Sequence, residues 1–211
     1  IRDSIITVTL TKMMYAGENT MVVEDALSRI NSIIERKPLE QTADKKHPAD
    51  TSITFENVSF RYPGAVNDAL HDVSLKINAG EQVAFVGPSG GGKTTLARLI
   101  ARFADVTEGN ILIGGVNVKN IDEKELMDTV SFVFQDSHLL KMSILDNVRM
   151  GNKNATRQEV MEALKNAQCD DIIEKLPDGI DTVIGSKGTY LSGGEAQRIA
   201  IARAMLKNSP M

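Results

Sequence analysis

A chain of 211 residues with 42% hydrophobic and 25% charged side chains has the composition of one folded domain plus additional segments. A net charge of −4 leaves no basic excess, which argues against nucleic-acid binding through phosphate neutralisation. The single cysteine, Cys169, excludes an intramolecular disulfide and suits a reducing compartment, where a small buried hydrophobe is its expected role.

No secretory signal opens the sequence, and no apolar run approaches the ~18–20 residues that span a bilayer. The chain starts in mid-pattern at Ile1 without an initiator methionine and stops at Met211, just after Asn208-Ser209-Pro210. Both ends are therefore expected to be cut from something longer.

Residues 1–36 are expected to be helical. Ile1, Ile5 and Val8, then Val22, Val23, Ala26, Leu27, Ile30, Ile33 and Ile34, recur at three- and four-residue spacings, interrupted at Gly17. Periodicity alone fits either a surface helix or the inner end of a transmembrane helix. Residues 37–50 lack periodicity, contain Pro38 and Pro48, and are expected to be a solvated linker. Its Lys45-Lys46-His47 run is shorter than the ~4–8 basic residues of a lipid-binding patch.

From residue 51 the pattern alternates. Ile53 and Phe55 are expected on one strand face and, after a break, Val58, Phe60 and Tyr62 on another. Leu70, Val73, Leu75 and Ile77 form a second strand, and Val83-Ala84-Phe85-Val86 a third. Leu96 to Ala101 is helical, and Ile111–Val118 reads as a hairpin turning at Gly114-Gly115. Asp122 with Glu125, and Thr156 with Glu159, have the spacing of capping boxes. Between them Val130–Phe134 has the composition of a buried strand, and after them Pro177-Asp178-Gly179 has that of a turn. A last helix follows Ser192-Gly193-Gly194 and runs to about Leu206. The order predicts an α/β fold.

Two glycine-rich stretches carry the chemistry. The first is Gly87-Pro88-Ser89-Gly90-Gly91-Gly92-Lys93-Thr94-Thr95, which matches the G-x-x-x-x-G-K-[ST] spacing between a predicted strand and a predicted helix. Its glycines allow successive N–H groups to point at phosphate oxygens, and the helix dipole adds positive potential there. Lys93 can reach the β- and γ-phosphates, and the Thr94 hydroxyl is placed to ligate Mg2+. The chain is therefore expected to bind a nucleoside triphosphate. The second stretch, Leu191-Ser192-Gly193-Gly194-Glu195-Ala196-Gln197-Arg198, is another helix start suited to an anion. It is equally the pattern of an ordinary N-cap in which Ser192 and Glu195 form a capping box.

A phosphate loop followed about a hundred residues later by Leu-Ser-Gly-Gly resembles the ATP-binding domain of ABC transporters, where Leu191–Glu195 would be the signature motif. Phe60-Arg61-Tyr62-Pro63 resembles the aromatic A-loop, so that Tyr62 would stack on adenine. Val133-Phe134-Gln135-Asp136 resembles the Q-loop, whose Gln135 would contact Mg2+ and the attacking water. Ser143-Ile144-Leu145-Asp146-Asn147-Val148 and Leu176–Thr182 resemble stretches of exporter-type members, and Val23–Ile30 resembles their junction between the last transmembrane helix and the ATP-binding domain.

The resemblance implies a P-loop NTPase core with an antiparallel β-subdomain and an α-helical subdomain, preceded by the cytosolic end of a transmembrane helix. Residues 1–36 would be that extension, 37–50 the linker, and 51–211 the ABC ATP-binding domain, incomplete at its C-terminus. Gln135 and Lys93 would be catalytic and Thr94 and Gln135 would hold the metal. The signature of a second such domain, in a homo- or heterodimer, would bind the same ATP in trans. The expected setting is an exporter-type ATPase at the cytoplasmic face of a membrane, with its transmembrane domain on the same polypeptide. Two other readings are a degenerate ATP-binding half and an importer of metal chelates built on the exporter plan.

The departures are specific. The family's Asp-Glu strand and switch histidine would follow Met211, so this chain by itself is expected to hydrolyse ATP negligibly. None of His47, His71 and His138 can serve as the switch. Thr182-Val183-Ile184-Gly185-Ser186-Lys187-Gly188 replaces the usual Thr-Glu-Val-Gly-Glu-Arg-Gly. Glu195 stands where glutamine is commonest and Ala196 where a basic residue is usual.

Overall fold

A computed structural model describes residues 20–35, 38–185 and 190–211. The first nineteen residues of the predicted first helix, and Ser186, Lys187 and Gly188, lie outside the described residues. The chain divides into two units, Ile1–Glu40 and Gln41–Met211.

In the first unit, residues 20–34 form helix α1. An Asp25–Arg29 ion pair one turn apart at 2.9 Å supports it on the surface. Its predicted apolar residues Val22, Val23, Leu27, Ile30, Ile33 and Ile34 are each half or more exposed. No helix among the described residues is long and apolar enough to cross a membrane.

The second unit holds a four-stranded antiparallel sheet in the order β2-β1-β3-β4, made from β1 (Ile53–Phe60), β2 (Leu70–Ile77), β3 (Glu108–Ile113) and β4 (Val116–Asn117). Strand β1 is central: Ile53 lies opposite both Ile77 and Ile113, and Phe55 opposite Leu75 and Ile111. The β3–β4 hairpin turns at Gly114-Gly115 as predicted, with φ of 54° and 79°. One expectation is corrected. Val58 and Phe60 do not face away from Ile53 and Phe55; all four are buried in one core. A bulge at Asn57 (φ 48°) shifts the register and returns the alternation to the same side. The Asn57 amide donates to Asp72 at 2.8 Å and holds the bulge.

Helix α2 (Lys93–Ile100) lays Leu96 and Leu99 on this sheet, and α3 (Glu123–Thr129) adds Leu126. Phe55, Ile111 and Ile113 are essentially sealed from water. Full burial of side chains of this size contributes about 1.5–3 kcal/mol each.

A second core lies among helices α4 (Ile144–Arg149), α5 (Arg157–Asn166), α6 (Asp170–Ile173) and α7 (Gly193–Lys207). It contains Ile144, Val148, Val160, Leu164, Ile172 and Ile199, together with Cys169. Burial pushes the Cys169 thiol up to about 11, so it is an inert packing group. Helix α5 starts with the predicted capping box, both halves formed between Thr156 and Glu159. At α3 only half forms: Asp122 accepts from the Lys124 and Glu125 amides, while the Glu125 carboxylate turns to His47 at 2.8 Å.

The linker residues from Gln41 onward are irregular but attached to the sheet unit. Lys46 N–H donates to Asn120 O at 2.8 Å, Ala49 N–H to Gly114 O at 3.1 Å, and Thr42 Oγ1 to Lys119 O at 3.2 Å.

Two predicted strands do not form. Residues 83–86 and 130–134 belong to no sheet of the described residues, and Val83 and Val86 are 46% and 93% exposed. An apolar run becomes an inner strand only when ladder partners occupy its edges. Residues 130–134 have the beginning of one. Met211 N–H donates to Thr129 O at 2.9 Å and Ser131 N–H to Met211 O at 2.7 Å, the alternation of a parallel pairing around Val130.

Candidate functional site

The site is built on the turn that leads into α2. Gly92 is the N-cap of this helix, at φ 79°, and carries no side chain to cap it; the first turn holds no acidic residue. An added Cβ at Gly92 would lie 2.6 Å from Leu70 Cδ2 and 2.8 Å from Ala69 O, so backbone angle and crowding both require glycine. Gly91 N–H closes the turn onto Pro88 O at 3.2 Å. Among the described residues no side chain caps the amides at the start of α2, the arrangement that receives an anion.

Lys93 Nζ lies over this turn, donating to Gly87 O at 2.9 Å and Pro88 O at 2.6 Å. The lysine thus holds the loop curled and stands where an entering phosphate would take over its bonds. Lys93, Thr94 and Gln135 line one cleft of about 1020 Å3, between α2, the loop after Phe134 and the side of α7. The cleft is cationic: Lys93, Arg98, Arg203 and Lys207 line it against the single carboxylate of Asp136. Thr94 and Gln135 line the same cleft, and both carry side-chain oxygens, the hard donors that Mg2+ takes. Among the described residues no cluster of His, Cys, Asp or Glu could hold a metal by itself.

Tyr62 follows directly on β1. Its loop is fixed by Arg61, whose Nε donates to Asp68 at 2.8 Å and whose N–H donates to Thr107 Oγ1 at 3.1 Å. The Arg61 guanidinium holds the Asp68 carboxyl below the usual carboxylate range. The Tyr62 ring meets Phe60 edge-on at 4.8 Å, and its hydroxyl lies 3.1 Å from Thr95 Oγ1 on α2. The sequence did not announce this bond, since it joins side chains thirty-three positions apart. Beyond the ring lies a smaller apolar cleft of about 310 Å3, lined by Leu99, Phe103 and Phe134 among others.

The second glycine-rich stretch is built differently. Ser192 caps α7 in extended conformation, its Oγ accepting from Glu195 N–H at 3.3 Å. Glu195 returns a carboxylate oxygen to Ser192 N–H and Oγ, both at 2.8 Å. These bonds hold the Glu195 carboxyl below its ordinary value. Arg198, one turn on, is paired with Asp171 of α6 at 2.7 Å, which orients the helix start over the second core. Ser192, Gly193 and Gly194 are exposed, and none of Leu191–Glu195 lines the cleft that holds Lys93. The structure brings Lys93, Thr94 and Gln135 to one cleft and Tyr62 and Thr95 to the smaller one that shares Arg98 and Phe134 with it, while Leu191–Glu195 line neither.

Comparison with known proteins identifies the family. The ABC transporter family matches residues 70–211. An ATP-dependent lipid A-core flippase of Methylobacillus flagellatus is 46% identical over 164 residues, covering 77% of this chain and 28% of that protein. The Brucella suis beta-(1→2)glucan export ATP-binding/permease protein NdvA is 41% identical over 180 residues, covering 82% of this chain and 30% of its own length. A solved structure of a bacterial Atm1-family ABC exporter with ATP bound superposes with a TM-score of 0.77 at 39% identity. It covers 89% of this chain and 33% of that one. The chain thus spans about a third or less of the length of these relatives.

Proposed function

The chain belongs to the ABC transporter family and carries its ATP-binding domain, and from that premise we propose that it forms one half of a two-domain ATPase site powering an exporter-type transporter. The observation that carries the reading is the open start of α2: a glycine turn with no capping side chain, no acid in its first turn, and Lys93 lying across it. Lys93 exchanges its bonds to Gly87 O and Pro88 O for the β- and γ-phosphates. Tyr62 supplies an aromatic face for adenine, and Thr95 comes free from the Tyr62 hydroxyl to meet phosphate.

Thr94 and Gln135 are the residues that would hold Mg2+, which when bound neutralises charge on the phosphates. Gln135, on the loop between the two cores, orients water beside the γ-phosphate. A partner domain completes the site by presenting its own Ser192–Glu195 helix start. Residues 1–36 are the extension toward a transmembrane domain of the same polypeptide, and the exposed apolar side chains of α1 suit a helix that other segments cover. The domain works at the cytoplasmic face of a membrane.

The test is a nucleotide titration of this chain and its Lys93→Ala variant. A charge-assisted bond of about 1.5–3 kcal/mol predicts that ATP affinity falls roughly 10- to 100-fold in the variant. Equal affinity of the two chains would overturn the assignment.

A further inference from the structure

Asn147 is fully buried, yet it is polar and lies in the first helix of the second core. Its side chain is completely engaged. The amide nitrogen donates to Leu140 O and Ser143 O at 3.0 Å each, with a longer bond to Met142 O at 3.3 Å. The amide oxygen accepts from Leu140 N–H at 2.9 Å and from Arg203 Nη2 at 3.3 Å. Arg203 also donates through Nε to the Asn147 backbone oxygen at 2.8 Å. One side chain therefore ties the end of the loop that starts at Gln135 to α4, and Arg203 ties that knot to α7.

Two neighbouring features tighten the same junction. An added Cβ on Gly151 would lie 2.3 Å from Arg203 O, so the chain after α4 passes against the α7 backbone where only glycine fits. On the other side, Ile144 N–H donates to Thr182 O at 3.2 Å and Ile184 N–H to Met142 O at 3.1 Å, around a Ser143–Val183 bridge. The loop from Gln135 thus leaves the nucleotide cleft beside the first core and is fastened at its far end to the second core, whose longest helix begins at Ser192.

We infer that Asn147, gripped by Arg203, is a positioning residue that transmits the state of the Gln135 loop to helix α7. The inference rests on the proposed nucleotide site. A buried network with every partner satisfied holds one arrangement, and breaking one bond strands several others. When Gln135 moves with the nucleotide, residues 140–143 cannot follow independently; they carry α4 and α7 with them, and with α7 the Ser192 helix start. Arg203 is well suited to this, because its rigid planar fork reaches two oxygens of one residue from two separate nitrogens, Nε and Nη2.

The test is amide hydrogen exchange on this chain with and without ATP, comparing wild type with Arg203→Lys and Asn147→Asp. Arg203→Lys keeps the charge but loses the fork. Asn147→Asp keeps the acceptor and sets a carboxylate against three carbonyls. In the wild type ATP is expected to slow exchange both in residues 136–142 and at the start of α7. In the Asn147→Asp variant, whose side chain does not line the cleft, we expect ATP affinity within about twofold of wild type, and in both variants Leu140 exchange about tenfold faster. ATP should still protect the loop, but protection at the start of α7 should be lost. Wild-type Leu140 exchange with a preserved ATP response in α7 would overturn the inference. So would an Asn147→Asp variant that loses melting temperature and ATP affinity together, or two variants that fail to fold, because the cluster would then be only structural. Absence of ATP binding by the wild type would instead sink the nucleotide-site reading itself.

Discussion

Among the described residues two helix starts are glycine-rich, and they are finished in opposite ways. At α2 the N-cap is a left-handed glycine with no side-chain bond and no acid in the first turn. At α7 the N-cap is an extended serine, and Ser192 and Glu195 satisfy each other's backbone in a complete capping box. Both ends carry the same unfilled amides and the same dipole. One leaves them for a ligand; the other fills one of them, the Glu195 N–H, from its own sequence. The start of α7 is therefore stable alone and can be presented as a rigid surface, whereas α2 depends on Leu96 and Leu99 in the core to hold it in shape.

The largest effect on this contrast should come from closing the open end. Gly92→Ala forces a Cβ into a left-handed backbone angle and against Leu70 and Ala69. Strain and overpacking each cost about 1–3 kcal/mol, so the melting temperature should drop clearly and ATP binding with it. A variant that melts like wild type would mean that the turn relaxes without cost.

What the sequence made legible follows the range of the interactions. The hairpin at Gly114-Gly115, the capping boxes of α5 and α7 and the phosphate turn are set within a few residues, and each is where its pattern placed it. The bulge at Asn57 was visible only as a break in alternation, because its cause lies across the sheet at Asp72. Residues 83–86 and 130–134 have strand composition without strand pairing, since a ladder is made by neighbours rather than by the run itself. Of the site, Tyr62, Lys93, Thr94 and Gln135 could be named from motifs. The Tyr62–Thr95 contact and the Asn147–Arg203 clasp join positions 33 and 56 apart, and no local pattern signals them.

A smaller effect is expected at the closed end. Ser192→Ala removes the side-chain cap of α7 and should cost about 1 kcal/mol of stability. Because none of Leu191–Glu195 lines the cleft with Lys93, ATP affinity of the single chain should stay within error of wild type in the same titration. A drop in affinity comparable with that of Lys93→Ala would erase the distinction between the two helix starts.

The smallest expected effect is electrostatic and separates the ends by pH. The Glu195 carboxyl is held below its ordinary value of 4.5, first by the Ser192 backbone N–H and then by its hydroxyl. A depressed folded-state value means that the ionised group stabilises the fold above about pH 4.5, and that this contribution is lost as pH falls through the lower folded value. Glu159 of α5 is shifted in the same direction by Thr156. Glu195→Gln keeps a side chain that can accept the same bonds but cannot titrate. The melting-temperature gap between wild type and Glu195→Gln should therefore be widest near neutral pH and close toward pH 3. A gap that is constant with pH would show that the cap of α7 works through hydrogen bonding alone, with no share from charge at the helix dipole. At α2, whose first turn has no acid to protonate, no such acid-labile contribution exists.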